Sequence, residues 1–264
     1  MDVQDSVQVS TSLVVATQDG VDMRFNSREL ALDLDSFTKL HLEPAMATLV
    51  SGIESDVLQG CTKLTYNHAG NWSPNYTVNT AMSPVSSLTA GMAARTRLNQ
   101  NLAPKSGRSL QLDSGQMASL VQNVPSLTNP REAISEQYRE GIVSRTAMAD
   151  YYENERVWAQ TTITSVTQST CKLNGFISTL GQASTNVTSI TQTVPIGTLF
   201  TIANVYDCHP ETKTQFAALK QFVVTATTNA STWTISPPIY MSGARQNVSG
   251  AFTATTLAQS SYAI

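Results

Sequence analysis

The sequence predicts an α+β protein in which a mostly helical part precedes an all-β part. In residues 1–160, apolar side chains recur at steps of three and four, the period of an amphipathic helix. In residues 161–250 these patterns stop and β-branched residues dominate. Two runs there, 198–206 and 221–228, alternate apolar and polar side chains, as strands with one buried face do. We therefore expect a domain boundary near Thr161.

The chain is expected to begin with two extended stretches, 7–15 and 21–25, joined by a tight turn at 18–20. Helical signals follow this turn. Ser27 and Ser36 are of a residue type that accepts hydrogen bonds at helix N-termini, so each is predicted to cap a short helix.

From Pro44 the pattern predicts a longer helix, because proline fits the first helical turn, where its missing N–H is not needed. The predicted stop is Gly60. Five apolar residues at helical spacing form one stripe along this helix: Met46, Leu49, Val50, Ile53 and Val57.

Three further helices and one strand are predicted before the boundary. The expected helix starts are Ser83 with Pro84, Asp113 or Ser114, and Asn129 with Pro130. Pro104 terminates the first of these helices and Gly141 closes the third. Met117 and Leu120 lie on the apolar face of the second. The run 109–112, between the first and the second, is predicted to be a strand.

The second part is predicted to be a compact antiparallel barrel or sandwich, with residues 198–240 as a self-contained unit. A polar turn at 207–212 separates the first two strands, and 228–231 supplies a hairpin turn before a third strand. Trp233 and Ile235 of that strand are expected on one face. We expect this unit to fold, to stiffen the protein or to contact a neighbour rather than to carry chemistry.

Composition narrows the classes of function. Hydrophobic residues make up 41% of the 264, enough to build substantial cores, while only 13% are charged. A surface so poor in charge suits permanent contacts with other proteins. The net charge of -3 gives no broad basic field to attract phosphates, so tight, direct binding of nucleic acid is not expected.

The N-terminal residues show no basic stretch followed by an apolar core, and no run of about 18 apolar residues occurs. Neither a signal peptide nor a membrane span is expected, and the sequence predicts a soluble chain. The three cysteines, Cys61, Cys171 and Cys208, are far apart, and no Cys-x-x-Cys pair is present. Reduced, separately buried thiols are expected rather than disulfides or zinc ligands.

No arrangement of residues predicts a metal site, a cofactor site or a catalytic centre. His41, His68 and His209 stand apart from cysteines and carboxylates at ligand spacing. Asp207 and Cys208 precede His209, but adjacent residues of a strand or turn point in different directions and form no catalytic relay. A turn between two strands is the favoured interpretation. No glycine-rich phosphate-binding motif occurs.

Two sets of charged residues are candidates for chemistry. Candidate acids and bases are Asp33, Asp35, Glu54, Asp56, Glu132, Glu136 and Glu140. The last three recur at steps of four and are interpreted as the solvated face of a helix. A local basic cluster consists of Arg95, Arg97, Lys105 and Arg108. This cluster has two possible roles: it could contact a phosphate backbone, or it could pair with acidic residues of a neighbour. Pairing is favoured, because so few charges release too few counterions for firm binding of DNA.

Three segments of the first part resemble, in this order, the tailed-bacteriophage major coat proteins of the P-twenty-two type. They are VDMRFNSRELALDLDSFTKLHLEPAMATL at 21–49, NLAPKSGRSLQLDSGQMASLV at 101–121 and QYREGIVSRTAMADYYENERV at 137–157. Residues 198–250, which begin TLFTIANVYDCHPETKTQFAALK, are similar to the insertion domain that distinguishes these coat proteins from the plain Hong Kong 97 capsid fold. The four segments are spread over residues 21–250, most of the length of the chain.

The resemblance implies a Hong Kong 97-like capsid fold, with peripheral and axial domains in residues 1–160. An inserted all-β Greek-key barrel would occupy 161–250, and 251–264 would return to the capsid core. The helix from Pro44 would be the long spine helix, and 85–145 would supply much of the axial domain. Family members usually have an N-terminal arm and continue well past the insertion domain. The resemblance therefore also implies an internal portion of a longer subunit, or a shortened version of one.

The function that the resemblance implies is that of a major capsid protein, which self-assembles through hexamers and pentamers into the icosahedral shell around the double-stranded DNA of a tailed phage. The implied partners are further copies of the chain, a scaffolding protein and a portal protein. DNA would be enclosed without specific binding, and no membrane would be contacted. The implied location is the virion, assembled in the cytoplasm of the host bacterium.

Two other classes of function remain open at this point. A Thr-rich β-domain is also typical of carbohydrate-binding or adhesion proteins, in which exposed aromatic residues such as Trp72, Tyr76 and Trp233 would contact sugars. An enzyme with an unfamiliar site is the other class, although the candidate polar residues form no relay.

Overall fold

The computed structural model describes residues 14–15, 17–22, 24, 38–69, 88–123, 149–158, 172–173, 181–188, 193–250 and 257–259. The chain divides into two compact units, Met1–Glu54 and Ser55–Ile264. The division falls inside one long helix.

In the first unit, a π-helical turn, Thr38–Leu42, leads directly into helix α1, Glu43–Leu64. Residues 14–15 have no regular secondary structure. Most of the two predicted extended stretches lies outside the described residues, as do the helix caps predicted at Ser27 and Ser36.

Helix α1 starts where the sequence predicts, with Pro44 in its first turn. The predicted stop at Gly60 is wrong, because the helix continues to Leu64. A glycine inside a helix costs only about 1 kcal/mol relative to alanine. The hydrogen bond from the Thr65 N–H to the Cys61 carbonyl, at 3.1 Å, shows that the helical pattern runs past the glycine.

The second unit contains, after α1, a small mixed region with its own core. Its elements are helix α2 (Leu88–Gln100), strand β1 (Ser109–Leu112), helix α3 (Ser114–Asn123) and strand β2 (Asp150–Glu153). β1 and β2 pair in parallel, with Leu110 opposite Tyr151. The buried core residues are Leu112, Met117, Leu120 and Tyr151.

Strand β1 and the start of α3 confirm predictions made from the sequence. The Asp113 carboxylate accepts a hydrogen bond from the Gln116 N–H at 2.8 Å, so Asp113 is the residue that caps α3. Met117 and Leu120 are buried, as their spacing predicts.

Of the two other helices predicted before Thr161, the structure describes part of one. The helix predicted from Ser83 is seen as α2, which ends at Gln100. The Ala103 N–H donates to the Leu98 carbonyl at 2.9 Å and closes the last turn. The helix predicted from Asn129 lies outside the described residues.

The rest of the second unit is an antiparallel sheet, of which seven strands are described. They are β3 (Lys172–Leu173), β4 (Gln182–Thr188), β5 (Leu199–Cys208), β6 (Gln215–Asn229), β7 (Thr232–Ile239), β8 (Val248–Gly250) and β9 (Leu257–Gln259). The strand order is β3-β4-β7-β6-β5-β8, and β9 also pairs with β5. Every regular element described after Thr161 is therefore a strand, as the composition predicts.

The strands predicted in the β-unit are confirmed, but two are longer than predicted. β5 runs to Cys208 and β6 starts at Gln215, so the connecting turn is 209–214 rather than 207–212. The prediction that 198–240 is self-contained is wrong. β4 pairs with β7, and both β8 and β9 pair with β5, so strands from outside this range complete the sheet.

Strand β5 changes partner along its length. Its first half pairs with β9 and its second half with β8, and its register against β6 is irregular between Thr201 and Tyr206. Asn204, at this irregularity, has a φ of 62°, a left-handed conformation that asparagine tolerates better than most residues. A Cβ added at Gly250 of β8 would collide with the Asn204 carbonyl oxygen, so glycine is needed for this close approach. Bulges of this kind bend a strand.

One face of the sheet holds a single core to which β5, β6, β7 and β8 contribute. Its buried residues are Val194, Phe200, Ile202, Val205, Phe222, Val224, Trp233, Ile235, Ile239 and Val248. The Phe200 ring packs on Phe222, with centroids 5.7 Å apart, and edge-on to Trp233, with centroids 5.5 Å apart. Trp233 and Ile235 are both buried here, which confirms that they share a face.

Candidate functional site

Three buried charged side chains meet where Arg97 of helix α2 reaches the sheet. The Asp207 carboxylate, on β5, lies 3.4 Å from Arg97 Nη1, on α2, and 2.9 Å from Lys220 Nζ, on β6. The exposed fraction of each residue is 5% or less. Asp207 Oδ1 also accepts a hydrogen bond from the Cys208 N–H at 3.0 Å. We call Arg97, Asp207 and Lys220 the ion cluster.

The fold brings these residues together from distant parts of the sequence. Antiparallel pairing of Tyr206 with Leu219 places Asp207 beside Lys220. Arg97 reaches the same carboxylate across 110 residues of chain. Taking a charge out of water costs several kcal/mol unless a counterion compensates it. The ion cluster therefore favours the observed placement of Arg97 beside β5 and β6 over shifted alternatives.

The segment that follows α1 packs on the same part of β6. The His68 N–H donates to Gln221 Oε1 at 2.8 Å, and Lys220 Nζ lies 5.5 Å from the centre of the Tyr66 ring. Burial lowers the pKa of His68 from its ordinary 6.5 to about 4. The imidazole is therefore neutral at pH 7 and acts as a packing group rather than as a cation.

Stability is expected to depend on pH through His68. Its pKa is lower in the folded than in the unfolded chain, so unfolding takes up a proton and the free energy of unfolding falls as the pH drops below 6.5. Between pH 7 and pH 5 this loss is about 2 kcal/mol. Urea titrations at both pH values measure it, with His68→Gln as the non-titrating comparison. The variant should lose about 2 kcal/mol less than the parent protein, and equal losses would contradict the assignment.

A pocket of about 220 Å³ opens beside the ion cluster. It is lined by Tyr66, Asn101, Cys208, Pro210, Lys213, Lys220, Pro237, Arg245, Gln246 and Asn247. Burial, and secondly the negative charge of Asp207, raise the pKa of the Cys208 thiol. The thiol is therefore protonated at neutral pH, and a protonated thiol is a poor nucleophile.

The residues at the end of β5 have separate structural tasks. Asp207 pairs with cations, whereas His209 Nδ1 accepts hydrogen bonds from the N–H groups of Glu211 and Thr212, both at 3.2 Å. The interpretation of His209 as a turn residue is confirmed. Asp207 and Cys208, however, belong to the strand and not to the turn.

The predicted basic cluster is not one surface. Arg97 is buried and pairs with Asp207 of its own chain, which corrects the expected pairing with a neighbour. Arg108 donates to Asn99 Oδ1 at 3.0 Å and to the carbonyls of Ala103 and Pro104 at 2.9 and 2.8 Å, so it holds the loop after α2. Its guanidinium is thus committed to the fold.

The other candidates from the sequence are only partly described. Cys208 is buried as expected, but Cys61 is exposed, which corrects the prediction of separately buried thiols. Glu54 and Asp56 lie on α1, with Asp56 exposed. The remaining candidate residues lie outside the described part of the chain: Cys171, Asp33, Asp35, Glu132, Glu136 and Glu140.

Helix α1 carries an exposed apolar stripe. None of its residues is buried. The exposed apolar side chains, which we call the α1 stripe, are Leu42, at the end of the π-helical turn that leads into α1, and Met46, Val50, Ile53, Val57 and Leu64 of α1 itself. Their spacing of three, four or seven residues places them on one face of a helix about 33 Å long. The sequence predicts this stripe, and the structure shows that at its centre, for example at Val57, 57% of the residue is exposed.

Trp233 does not belong to an exposed sugar-binding surface. It is 2% exposed, and its indole N–H donates to the Ala230 carbonyl at 2.9 Å inside the sheet core. Trp72 and Tyr76, the other aromatic residues considered for such a surface, lie outside the described residues.

Among the residues that the structure describes, no group of three or more His, Cys, Asp or Glu side chains is placed to hold a metal ion. No helix in the same residues is long and apolar enough to cross a membrane.

Sequence reasoning missed the ion cluster and the pocket beside it. One signal was present: Lys220 interrupts the apolar run of β6 and is followed by a buried stretch that reaches Val224. A lysine inside such a run indicates a buried counterion. Which residue supplies that counterion depends on the register of β5 against β6, which no local pattern shows. The structure shows that it is Asp207.

Comparison with known proteins does not identify the chain. No protein-family model matches its sequence, and no curated protein is a significant match.

Proposed function

We propose that this chain is the major capsid protein of a tailed bacteriophage, a subunit that self-assembles into the icosahedral shell around double-stranded DNA. The α1 stripe is the observation that carries the proposal. A contiguous apolar surface on a long helix marks a place that another protein surface covers. In an assembly of identical subunits, the covering surface belongs to another copy of the chain.

The resemblance to coat proteins of the P-twenty-two type supports the proposal independently of the stripe. It rests on the segments 21–49, 101–121, 137–157 and 198–250. In this proposal α1 is the spine helix of a Hong Kong 97-like fold, and the sheet of β5 to β8 belongs to the inserted domain. Scaffolding and portal proteins are the proposed partners in the virion.

The proposed mechanism is physical rather than catalytic. Identical subunits form closed rings through head-to-tail contacts, and the rings join into a shell. Each subunit holds several neighbours at once, so individually weak contacts add up to a strong assembly. The net charge of -3 suits a wall that encloses DNA without gripping it.

Negative-stain electron microscopy and sedimentation velocity of the expressed chain test the proposal. Shells, capsomers or closed rings are expected. A chain that is folded by circular dichroism yet stays monomeric at all accessible concentrations would contradict it.

Val57→Glu is expected to weaken self-association more than tenfold. The substitution places a carboxylate in the middle of the α1 stripe, where assembly would have to bury it, and burying an unpaired charge costs more than the roughly 1.4 kcal/mol that corresponds to a factor of ten. Sedimentation velocity over a concentration series measures the change.

Ser55→Glu is the matched control for this substitution. It adds the same charge to the same helix at an exposed position about 200° around the axis from Val57. Assembly should be nearly unchanged in this variant. If both variants assemble like the parent protein, the α1 stripe is not a contact surface.

A further inference from the structure

The pocket beside the ion cluster has a marked excess of positive charge. Lys213, Lys220 and Arg245 line it, and none of its lining residues is a carboxylate. Asp207 is not a lining residue, but its carboxylate lies 2.9 Å from Lys220 Nζ and compensates the charge of that lysine. No described carboxylate pairs with Lys213 or Arg245. The pocket wall therefore carries more positive than negative charge.

The same three cations also have hydrogen-bond donors to spare. An ammonium group has three N–H donors and a guanidinium has five. Lys213 Nζ donates to the carbonyls of Pro210 and Gln246, at 2.6 and 3.2 Å, which leaves one donor. Lys220 Nζ donates to Asp207, which leaves two. Arg245 is exposed, and among the described residues nothing accepts from its guanidinium.

Each side-chain amide group around the pocket uses one of its two N–H donors in the fold. Asn101 Nδ2 donates to the Arg97 carbonyl at 2.9 Å, and Asn247 Nδ2 donates to the Pro238 carbonyl at 2.7 Å. Gln246 Nε2 donates to a backbone carbonyl at 3.2 Å. One N–H of each amide is left over, but among the lining residues only the cations offer free donors that also carry a positive charge, which suits a negatively charged oxygen ligand.

From this arrangement we propose that the pocket binds a small free oxyanion, phosphate or an ion of similar shape and charge, held by Lys213, Lys220 and Arg245. The volume of about 220 Å³ exceeds the roughly 30 Å³ that one water molecule takes up in the liquid, so such an ion has room to enter. Lys213 lies in the turn 209–214, Lys220 on β6 and Arg245 in the loop between β7 and β8. A bound oxyanion would tie these three parts together and stabilise the folded state.

Inorganic phosphate is the probe for this site. Thermal unfolding of the full chain is measured at pH 7 over a series of phosphate concentrations, and again in chloride at matched ionic strength. At a phosphate concentration ten times its Kd, the Tm should be about 2 to 5 °C higher than in chloride. Equal Tm values in the two salts would overturn the proposal.

Two variants, Arg245→Gln and Lys105→Gln, distinguish binding of phosphate in the pocket from general screening of surface charge by salt. The exposed guanidinium of Arg245 makes no hydrogen bond or ion pair with described residues, so its replacement should remove one ligand with little effect on the fold, and the Kd for phosphate should rise about tenfold. Lys105→Gln removes the same charge from an exposed position outside the pocket, and the Kd should stay unchanged. Equal changes in the two variants would overturn the proposal.

Duplex DNA at the same phosphate concentration distinguishes a free ion from a polymer backbone. No added stabilisation is expected, because a pocket of this size does not admit a duplex. Stabilisation by DNA without stabilisation by inorganic phosphate would overturn the proposal. The measurements report on the folded subunit, so they do not depend on whether the chain assembles.

Discussion

Asp207→Asn is expected to lower the free energy of unfolding by about 3–5 kcal/mol. The asparagine keeps the size of the side chain but removes the charge that faces Arg97 and Lys220, at 3.4 and 2.9 Å. Lys220 would then be buried without a counterion. Breaking a buried ion pair costs much more than losing an exposed one, because the remaining charge stays out of water. Urea titration at pH 7 measures the loss.

Glu211→Gln is the matched control for Asp207→Asn. It also removes one negative charge, but from an exposed position in the turn 209–214, so the change in the free energy of unfolding should lie within about 0.5 kcal/mol. Adding Lys220→Met to Asp207→Asn should restore part of the stability, since it removes a buried cation. Similar losses for Asp207→Asn and Glu211→Gln would show that the ion cluster contributes little.

Phe222→Ala is expected to cost about 3–5 kcal/mol, and Trp233→Ala a similar amount. Phe222 is completely buried at the centre of the sheet core, where its ring packs on Phe200. Truncation removes buried apolar surface and leaves a cavity, because strands on both sides hold the backbone in place. Each loss is a large fraction of the stability of an ordinary domain, so the yield of soluble, assembling protein should fall as well. Denaturant titration and sedimentation measure the two effects.

Phe216→Ala is the matched control for the core substitutions. Phe216 lies on the same strand, β6, but is only half-buried and packs edge-on to His209 in the turn. Its truncation removes the same atoms and should cost clearly less than Phe222→Ala. An unchanged assembly yield in Phe222→Ala would count against the role of the sheet in supporting the subunit.

The elements that were predictable are those whose evidence lies within a few consecutive residues. Apolar alternation in 221–228 predicts a strand, and β6 is found there. The prediction of a single buried face is wrong in its first half, because Gln221 and Val223 are buried as well as Phe222 and Val224. Asp113 precedes an apolar helix pattern at the position of a cap, and the structure shows it capping α3. The helix end predicted at Gly60 was wrong, because the evidence for it was a single residue. A single glycine is a weak local signal, and the hydrogen bonds of the longer helix override it.

The site was less predictable than the elements around it, because its groups are neighbours only in space. Arg97 and Asp207 are separated by 110 residues, and each taken alone looks like an ordinary surface charge. The register of β5 against β6 decides that Lys220 faces Asp207. That register depends on the irregularity at Asn204, for which the sequence has no distinct signal.

Local periodicity and capping residues were thus enough to place α1, β1, α3 and three strands of the sheet, and to indicate a helical part followed by a β part. They were also enough to show the apolar stripe on α1, since a stripe is a property of one helix. Folding in three dimensions settled the rest: which charges are buried together, which strands complete the sheet, and where a cationic pocket opens. These features arise from contacts between residues far apart in the chain, whose energies depend on register, burial and the position of counterions rather than on the identity of sequence neighbours.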